Sequence, residues 1–389
     1  MKEIGSEFWE CTDQGFMRTA AEASRYFLSG RTALEFLIRD MLQERRIKRM
    51  CLPSYCCYTM IEPFARHGLE IRFYDVFPRE DGGLVCRIPE ALPDEGLYLL
   101  RYFGYTETST TNPETDTGAY AVRVEDRTHS CLSGAFPGTW TLESSMAVPA
   151  DYIYASYRKW VFLSGAAEAV KAGGAFRIPY DTGTHGEYVA LRNRAAQKKK
   201  EYICRPDESG ISFAGQAKAE RAEEEQAKEE FLRLYGQAEA LLEKDYVGYA
   251  PEKAAREAWL RCDLARMKET RRENARFLTE RLKGLPQVRL LYPTVGEEDC
   301  PLFVPILLEK QERGDLKAYL SDRQVYCPIH WPLSAFHTMT GRALRLYEEE
   351  LSLVCDQRYL LSDMERIVRT LEEYFSRQDK KGCASAWRT

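Results

Sequence analysis

Residues 52–76 read LPSYCCYTMIEPFARHGLEIRFYDV, and this stretch indicates the fold class. It begins in a short apolar run that ends at Pro53, and it continues as a helical segment to His67, where Gly68 stops the helix. Residues 69–76 then have the β-branched and aromatic composition of a strand. A strand, a helix and a second strand in this order are the building block of a parallel sheet, so the stretch predicts an α/β domain.

Helix-like and strand-like patterns also occur on both sides of this unit. Residues 32–45 carry apolar side chains at helical spacing, which predicts a helix. Residues 96–103, 119–126 and 151–156 are short strand-like runs bounded by loop-forming residues. Short strands that alternate with helices between Gly and Pro indicate a wound α/β domain.

The second half of the chain has a different composition. Residues 187–245 are predicted to be largely helical, and their dense Glu and Lys are interpreted as a solvated face because the heptads are not sustained. One long helix is predicted over about 252–283, and strand-like runs and helices follow it, as in a small α+β domain. We therefore expect a large domain over 1–245, whose N-terminal segment can pack on the other domain, and a small C-terminal domain over 246–389.

Composition excludes several classes of protein. With 389 residues, 44% of them hydrophobic, the chain can form a large core and a second domain. A net charge of −5 gives no basic surface for nucleic acid, and no apolar run reaches membrane-spanning length. The N-terminus lacks the apolar core of a secretory signal, so a cytoplasmic location is expected. The twelve cysteines include no C-x-x-C pair, which favours reduced thiols over a metal site.

The segment Ser29-Gly30-Arg31-Thr32 is the first of three features that could carry chemistry. A glycine and a hydroxyl residue at a helix start bring free backbone N–H groups and the positive end of the helix dipole to one point, which suits a phosphate. A plain helix cap would look the same, and this second interpretation stays open.

The second feature is Asp126, at the end of the strand-like run 119–126. The carboxyl ends of parallel strands are where open α/β sheets bind ligands, and a carboxylate there can keep a pyridine nitrogen protonated. A helix-capping aspartate is the structural alternative. His129, three residues later, either touches the same ligand or lies on the loop.

The third feature is Lys159 in Tyr154-Ala155-Ser156-Tyr157-Arg158-Lys159-Trp160. It follows an aromatic strand instead of lying on a solvated helix, as a lysine that forms an imine requires. A single lysine is otherwise a surface charge by default. The order of the features strengthens the interpretation, because a phosphate-type turn, a strand-end Asp and a strand-end Lys follow one another on crossings of one sheet.

With these residues, the sequence resembles the fold-type I pyridoxal-phosphate enzymes, and among them the DegT/StrS family of sugar aminotransferases. The stretches that carry the resemblance follow the family order through almost the whole chain: SGRTAL (29–34), LPSYCCYTMIEPFARHG (52–68), FYDV (73–76), YFG (102–104), VEDRTHS (124–130), ASYRKW (155–160), HWP (330–332) and ELSLVCDQRY (350–359).

The resemblance implies a large domain with a mainly parallel, seven-stranded mixed sheet sandwiched by helices, plus a smaller C-terminal α+β domain. It implies pyridoxal 5'-phosphate as the cofactor, with Lys159 as the Schiff-base lysine and Asp126 as the partner of the ring nitrogen. Further cofactor-binding positions are implied for the phosphate (Gly30, Arg31, Thr32 and Ser156), for the ring face (Tyr55, Cys57 or Phe103) and for the ring hydroxyl (His129). Arg31 departs from the small residue usual in the family, and could reach the phosphate or a substrate anion.

The implied reaction is transamination from an amino acid, glutamate by preference, to a keto acceptor such as a nucleotide-linked keto-sugar for surface polysaccharide. Arg158, His330 and Trp331 are the expected substrate-side residues, with an ion pair and a structural strand end as their alternatives. The resemblance also implies a homodimer with small-molecule substrates. A lyase, dehydratase or β-replacement enzyme of the same fold, or a catalytically silent protein, stays open because fold does not fix reaction.

Overall fold

The computed structural model describes residues 2–11, 14–106, 109–111, 116–134, 140–145, 149–204, 214–337 and 341–386. The strands are β1 Ile4–Gly5, β2 Arg25–Phe27, β3 Arg49–Pro53, β4 Glu70–Pro78, β5 Leu84–Arg87, β6 Glu95–Leu100, β7 Ser109–Thr111, β8 Val122–Asp126, β9 Tyr152–Ser156, β10 Ala167–Lys171, β11 Arg289–Leu290, β12 Phe303–Leu307, β13 Val325–Tyr326 and β14 Glu350–Val354. The helices are α1 Gly30–Glu44, α2 Tyr58–Arg66, α3 Gly186–Cys204, α4 Ala214–Lys244, α5 Lys253–Arg261, α6 Leu264–Leu282, α7 Lys310–Ser321, α8 Gly341–Glu349 and α9 Leu361–Ala386.

The main sheet runs in the order β2-β10-β9-β8-β6-β3-β4-β5-β7. Its centre, from β9 to β4, is parallel, whereas β10 is antiparallel to both of its neighbours. The predicted mainly parallel mixed sheet is therefore confirmed. It has nine strands among the described residues because β5 and β7, which are too short to show a sequence pattern, extend the edge beyond β4.

Both faces of the sheet are covered, which explains why β6 and β9 are buried along their whole length. Tyr152 and Tyr154 of β9 share a core with apolar residues of α1. Ile153 and Ala155, which alternate with these tyrosines along β9, share another core with residues of α5 and α6. Alternate side chains of one strand thus enter opposite layers.

A second sheet, in the order β11-β12-β14, is antiparallel and shares its core with apolar residues of α6, α7 and α9. The N-terminal strand β1 pairs in parallel with β13, and Ile4 lies in this second core. The domain boundary at 245/246 stays a prediction. Among the described residues, no helix has the length and apolar character needed to cross a membrane.

The prediction of a single helix over 252–283 is wrong, because the chain forms two helices there, α5 and α6. Cys262, between them, has an extended backbone and bridges to Gln14. Asp263 then caps α6, since its side chain accepts a hydrogen bond from the Arg266 amide at 3.0 Å. A capping aspartate inside an amphipathic stretch was the available signal for this break.

Candidate active site

Lys159 lies on a short turn that follows β9. The turn is fixed by Tyr157, whose buried ring stacks on Trp259 with centroids 3.8 Å apart, and whose hydroxyl donates to Glu168 at 2.6 Å. With Tyr157 anchored inward, Lys159 points outward into a cavity of about 600 Å³. The Lys159 side chain forms no ion pair or hydrogen bond with another described residue.

This space, the Lys159 cavity, also receives the predicted residues His129, Arg158 and His330. It is bounded by the turn after β9, by the loops after β8 and β13, and by residues 5–8 of the N-terminal segment. Its wall is strongly cationic, with six basic side chains against the carboxylates of Glu7 and Asp356: Arg158, Lys159, Lys228, Arg271, Lys317 and Arg358. The cavity therefore suits an anionic small molecule.

His129 forms part of the cavity wall as a buried ring whose Nδ1 has no hydrogen-bond partner. Burial, with His330 and Lys159 nearby, holds the pKa of His129 well below its usual range. The imidazole is therefore neutral at physiological pH, with Nδ1 left for a ligand. The His330 ring lies 5.3 Å from that of His129, and its Nδ1 is 3.0 Å from Ser352 Oγ.

Arg158 reaches the cavity but is already paired. Its guanidinium contacts both carboxylate oxygens of Glu239, at 2.5 and 3.3 Å, and donates to the Tyr188 hydroxyl at 3.1 Å. Burial raises the pKa of Glu239, but Arg158, Arg192 and Lys159 together outweigh burial and lower that pKa to about 2. The ion-pair alternative is therefore the arrangement observed, and a substrate carboxylate would have to share Arg158 with Glu239.

The phosphate-type turn consists of residues 29–32 at the start of α1, with Ser156 against it. Ser29 caps the helix, since its hydroxyl accepts from the Thr32 amide at 3.1 Å, and the Thr32 hydroxyl lies 2.9 Å from that of Ser29. A Cβ added at Gly30 would lie 3.1 Å from Ser156 Cβ, so glycine permits this close approach. The Arg31 guanidinium lies over the rings of Tyr58 and Tyr246.

Asp126 lies at the end of β8, fully buried and outside the cavity lining. Its Oδ2 accepts from the hydroxyls of Tyr98 and Tyr154, at 2.7 and 2.8 Å, and its Oδ1 accepts from the Thr128 amide at 2.7 Å. Burial raises the pKa of Asp126, while its hydrogen bonds with Thr128, Tyr98 and Tyr154 oppose the rise.

The candidates for the ring face lie in an aromatic cluster next to His129. Phe103 and Trp331 have ring centroids 5.7 and 5.4 Å from that of His129. Tyr55 lies 5.1 Å from Trp331 and is buried, with no partner for its hydroxyl. Cys57 is half-buried at the start of α2. Trp331 thus contacts both the Tyr55 ring and the His129 imidazole.

Sequence reasoning missed four residues that shape this region: Glu7, Tyr98, Thr128 and Tyr154. One of them had a usable signal, because Tyr154 lies two positions before Ser156 and therefore on the same strand face. The register of the folded sheet, which pairs Asp126 with Tyr154 and with Leu100, two positions after Tyr98, is not visible in the sequence. Nothing in the sequence indicated that Glu7 lies at the cavity, because the N-terminal segment reaches the cavity only in the folded chain. No cluster of His, Cys, Asp or Glu suited to a metal ion occurs in the described ranges.

No family model and no curated protein sequence matches this chain. Solved structures do match. PseC from Helicobacter pylori, an aminotransferase involved in the biosynthesis of pseudoaminic acid, is 11% identical over 96% of this chain and 100% of its own, with a TM-score of 0.59. DesI, solved in the presence of its TDP-sugar product, is 13% identical over 93% of this chain and 83% of its own, with a TM-score of 0.59.

A third similar structure is the PMP form of Spr1654 from Streptococcus pneumoniae, which is described as a sugar aminotransferase and has also been solved in a PLP form. It is 10% identical over 97% of this chain and 100% of its own, with a TM-score of 0.58. The chain therefore shares the fold of these solved structures. The fold type expected from the resemblance is thus confirmed, whereas the reaction has to be argued from the residues of the site.

Two features of the described residues fit pyridoxal phosphate. The first turn of α1 offers backbone N–H groups beside Ser156, at a glycine whose missing side chain keeps the approach open. The buried Nδ1 of His129 is an unpaired polar atom on the wall that Lys159 shares. An amine, a phosphate-type turn and a strand-end carboxyl are thus present on neighbouring elements.

Proposed function

We propose that this protein is a pyridoxal-phosphate-dependent aminotransferase that moves an amino group from an amino acid to a keto-sugar. The observation that carries the proposal is the position of Lys159, an unpaired amine directed into a large cavity from the carboxyl end of a parallel strand. Ligands of open α/β sheets bind at such strand ends. The fold shared with sugar aminotransferases supports the same assignment.

Lys159 would hold the cofactor covalently through Nζ and, once displaced by an amino donor, would carry a proton to and from the reacting carbon. Bound pyridoxal phosphate supplies an electron sink for the carbanion that forms on the substrate. The cavity gives Lys159 Nζ room for both tasks. Nζ is also available for them, because no carboxylate of the described residues forms an ion pair with it.

The other residues would position the cofactor. The backbone amides at the start of α1 and the Ser156 hydroxyl would hold the phosphate, as helix N-termini hold anions. Asp126 would face the ring nitrogen. His129, neutral because burial lowers its pKa, would offer Nδ1 to a polar group of the cofactor.

The substrate class follows from the charge of the Lys159 cavity. Asp356 is paired with Arg358 at 2.7 Å, and Glu7 with Arg192 at 3.3 Å, so both carboxylates of the wall are already bound to arginines. An acceptor that carries phosphates, such as a nucleotide-linked keto-sugar, would place its negative charge against this wall. A role in surface polysaccharide synthesis, a homodimer and a cytoplasmic location stay predictions.

The test is to load the purified protein with pyridoxal phosphate, reduce it with borohydride and map the labelled peptide. We expect one label, on Lys159, and we expect Lys159→Ala to lose both the label and the visible absorbance of the bound cofactor. Lys317→Ala is the matched control, because Lys317 lines the same cavity without an ion pair and should leave the label unchanged. A label on another lysine, or none, would end the proposal.

A second measurement separates the reaction types. Glutamate added to the loaded protein should convert the cofactor spectrum to the pyridoxamine form if the protein is an aminotransferase. A labelled Lys159 with no conversion by any amino acid would instead favour a lyase, a dehydratase or a β-replacement enzyme. Absence of both label and absorbance would favour a silent protein of this fold.

A further inference from the structure

Three oxygen atoms from three neighbouring strands form a closed ring at the buried end of β8. They are Asp126 Oδ2, Tyr98 Oη and Tyr154 Oη, and the three O···O distances are 2.6 Å between the hydroxyls and 2.7 and 2.8 Å to the carboxyl. Each distance lies in the range of an O–H···O hydrogen bond. We call this arrangement the three-oxygen ring.

The number of protons decides the charge of this ring. Each tyrosine hydroxyl has one proton to donate, so the two tyrosines can occupy only two of the three contacts. With Asp126 ionised, the third contact would contain no proton, and the lone pairs of its two oxygens would repel each other at hydrogen-bond distance. With Asp126 protonated, three protons fill three contacts, and each oxygen donates once and accepts once.

The two oxygens of the carboxyl group are also in different environments. Oδ1 accepts a hydrogen bond from the Thr128 amide at 2.7 Å, as a carbonyl oxygen does, whereas Oδ2 belongs to the three-oxygen ring, where an O–H group is needed. A carboxylic acid has this asymmetry, and a carboxylate does not require it.

In the part of the chain that the structure describes, no Lys or Arg side chain forms an ion pair with the Asp126 carboxyl. Arg127, the next residue, instead pairs with Glu125 at 3.8 Å and donates to the carbonyls of Ser130 and Ser133. Cys56 also faces Asp126, and burial keeps its thiol neutral by raising its pKa well above the usual value. Burial raises the pKa of Asp126 as well, in the same direction as the proton count. Buried sites can keep a carboxylic acid neutral so that it donates a hydrogen bond.

We propose that Asp126 is a neutral carboxylic acid in the cofactor-free protein, and that Tyr98 and Tyr154 are positioning residues that hold its proton ready for a basic ring nitrogen. The second half of this proposal rests on the function proposed above. With a cofactor bound, the Asp126 O–H bond would break and its proton would pass to the ring nitrogen. The carboxylate that remains would accept from both tyrosine hydroxyls, and the two hydroxyl oxygens, which then have no proton between them, would move apart from their 2.6 Å contact.

The test is an infrared difference spectrum of the cofactor-free protein, with the aspartate carboxyl groups isotope-labelled. At neutral pH we expect the carbonyl-stretch band of a buried carboxylic acid in the wild type and its loss in Asp126→Asn. Tyr98→Phe and Tyr154→Phe should each keep the band but shift it to higher frequency, because each removes one hydrogen bond to the acid. The matched control is Tyr152→Phe on the same strand, which loses a bond to Asp40 instead and should leave the band in place.

Two results would overturn the proposal: no acid band in the folded wild type at neutral pH, or an unshifted band in both phenylalanine variants at Tyr98 and Tyr154. Circular dichroism checks that each variant is folded. Adding pyridoxal phosphate should then remove the band as Asp126 ionises. If Lys159 becomes labelled and the band persists, the proton-donor role is wrong. If no cofactor binds, the proposed function fails, while the band of the free protein still decides the state of Asp126.

Discussion

At the scale of single residues, Thr128 connects the two strand ends of the candidate site. Its amide donates to Asp126, its hydroxyl accepts from the Ser156 amide at 3.2 Å, and its carbonyl accepts from the Trp160 indole at 2.8 Å. One buried residue therefore fixes the carboxyl of Asp126, the start of the turn that bears Lys159, and the residue after that lysine.

The Thr128 hydroxyl can be tested by substitution. Thr128→Val keeps the shape but leaves the buried Ser156 amide without an acceptor, which should destabilise the protein by about 1–3 kcal/mol. Thr128→Ser retains the hydroxyl and should recover most of this loss. Urea unfolding of both variants measures the difference, and equal midpoints for the Val and Ser variants would contradict the role given to the hydroxyl.

At the scale of elements, the loop after β6 joins the main sheet to the chain that leads into β12. The Phe103 carbonyl accepts from the Leu302 amide at 2.8 Å, and the Gly104 carbonyl accepts from the Cys300 amide at 3.0 Å. Both residues of the loop have positive φ, +54° at Phe103 and +86° at Gly104. Phe103 also contacts His129, so this loop helps to place the cavity wall.

Gly104→Ala should be among the most damaging single substitutions. Its Cβ would lie 2.0 Å from the carbonyl oxygen of Cys300, in a left-handed conformation, so steric overlap and backbone strain add to about 3 kcal/mol or more. The matched control is Gly68→Ala after α2, where φ is +73° but nothing lies within 4 Å, and about 1 kcal/mol is expected. Thermal unfolding compares the two. If Gly104→Ala lowered the stability less than Gly68→Ala, the loop would be able to shift and accommodate the added Cβ, and the prediction would be wrong.

At the scale of the whole molecule, the N-terminal segment joins α3 and α4 to strand β13 and lines one side of the Lys159 cavity. Glu3 and Lys199 form an ion pair at 3.1 Å in which both side chains are fully buried, and Lys228 approaches the same carboxylate at 3.4 Å. The Lys199 ammonium also donates to the carbonyl of Glu7 at 2.6 Å. Partners that leave water completely must stay paired, since an isolated buried charge is costly.

A double-mutant cycle on Glu3 and Lys199 measures this connection. Glu3→Gln or Lys199→Met alone should cost about 3–5 kcal/mol, because each leaves a buried charge with fewer partners. The double variant should cost less than the sum of the two, which reports their coupling. The exposed pair of Lys283 and Glu280 is the control, and Lys283→Met should change stability by less than about 1 kcal/mol. If the two single losses of unfolding free energy simply added up in the double variant, Glu3 and Lys199 would not interact directly.

The sequence alone determined the fold class and the order of the chemical residues. Helical and strand periods are local, so the unit at 52–76 and the run 119–126 predicted their elements, and a strand-end residue such as Asp126 or Lys159 follows from the end of its strand. The break at Cys262 escaped prediction because a long apolar stripe continues through it.

Only the tertiary structure decided what those residues touch. Arg158 meets Glu239 across 81 positions, and Asp126 meets Tyr98 and Tyr154 across 28 positions in each direction. The N-terminal segment reaches the cavity through the pairing of β1 with β13. Strand order and register set such contacts, and both arise from packing the whole chain at once. The proton on Asp126 is therefore a property of three neighbouring strands, which no single stretch of sequence contains.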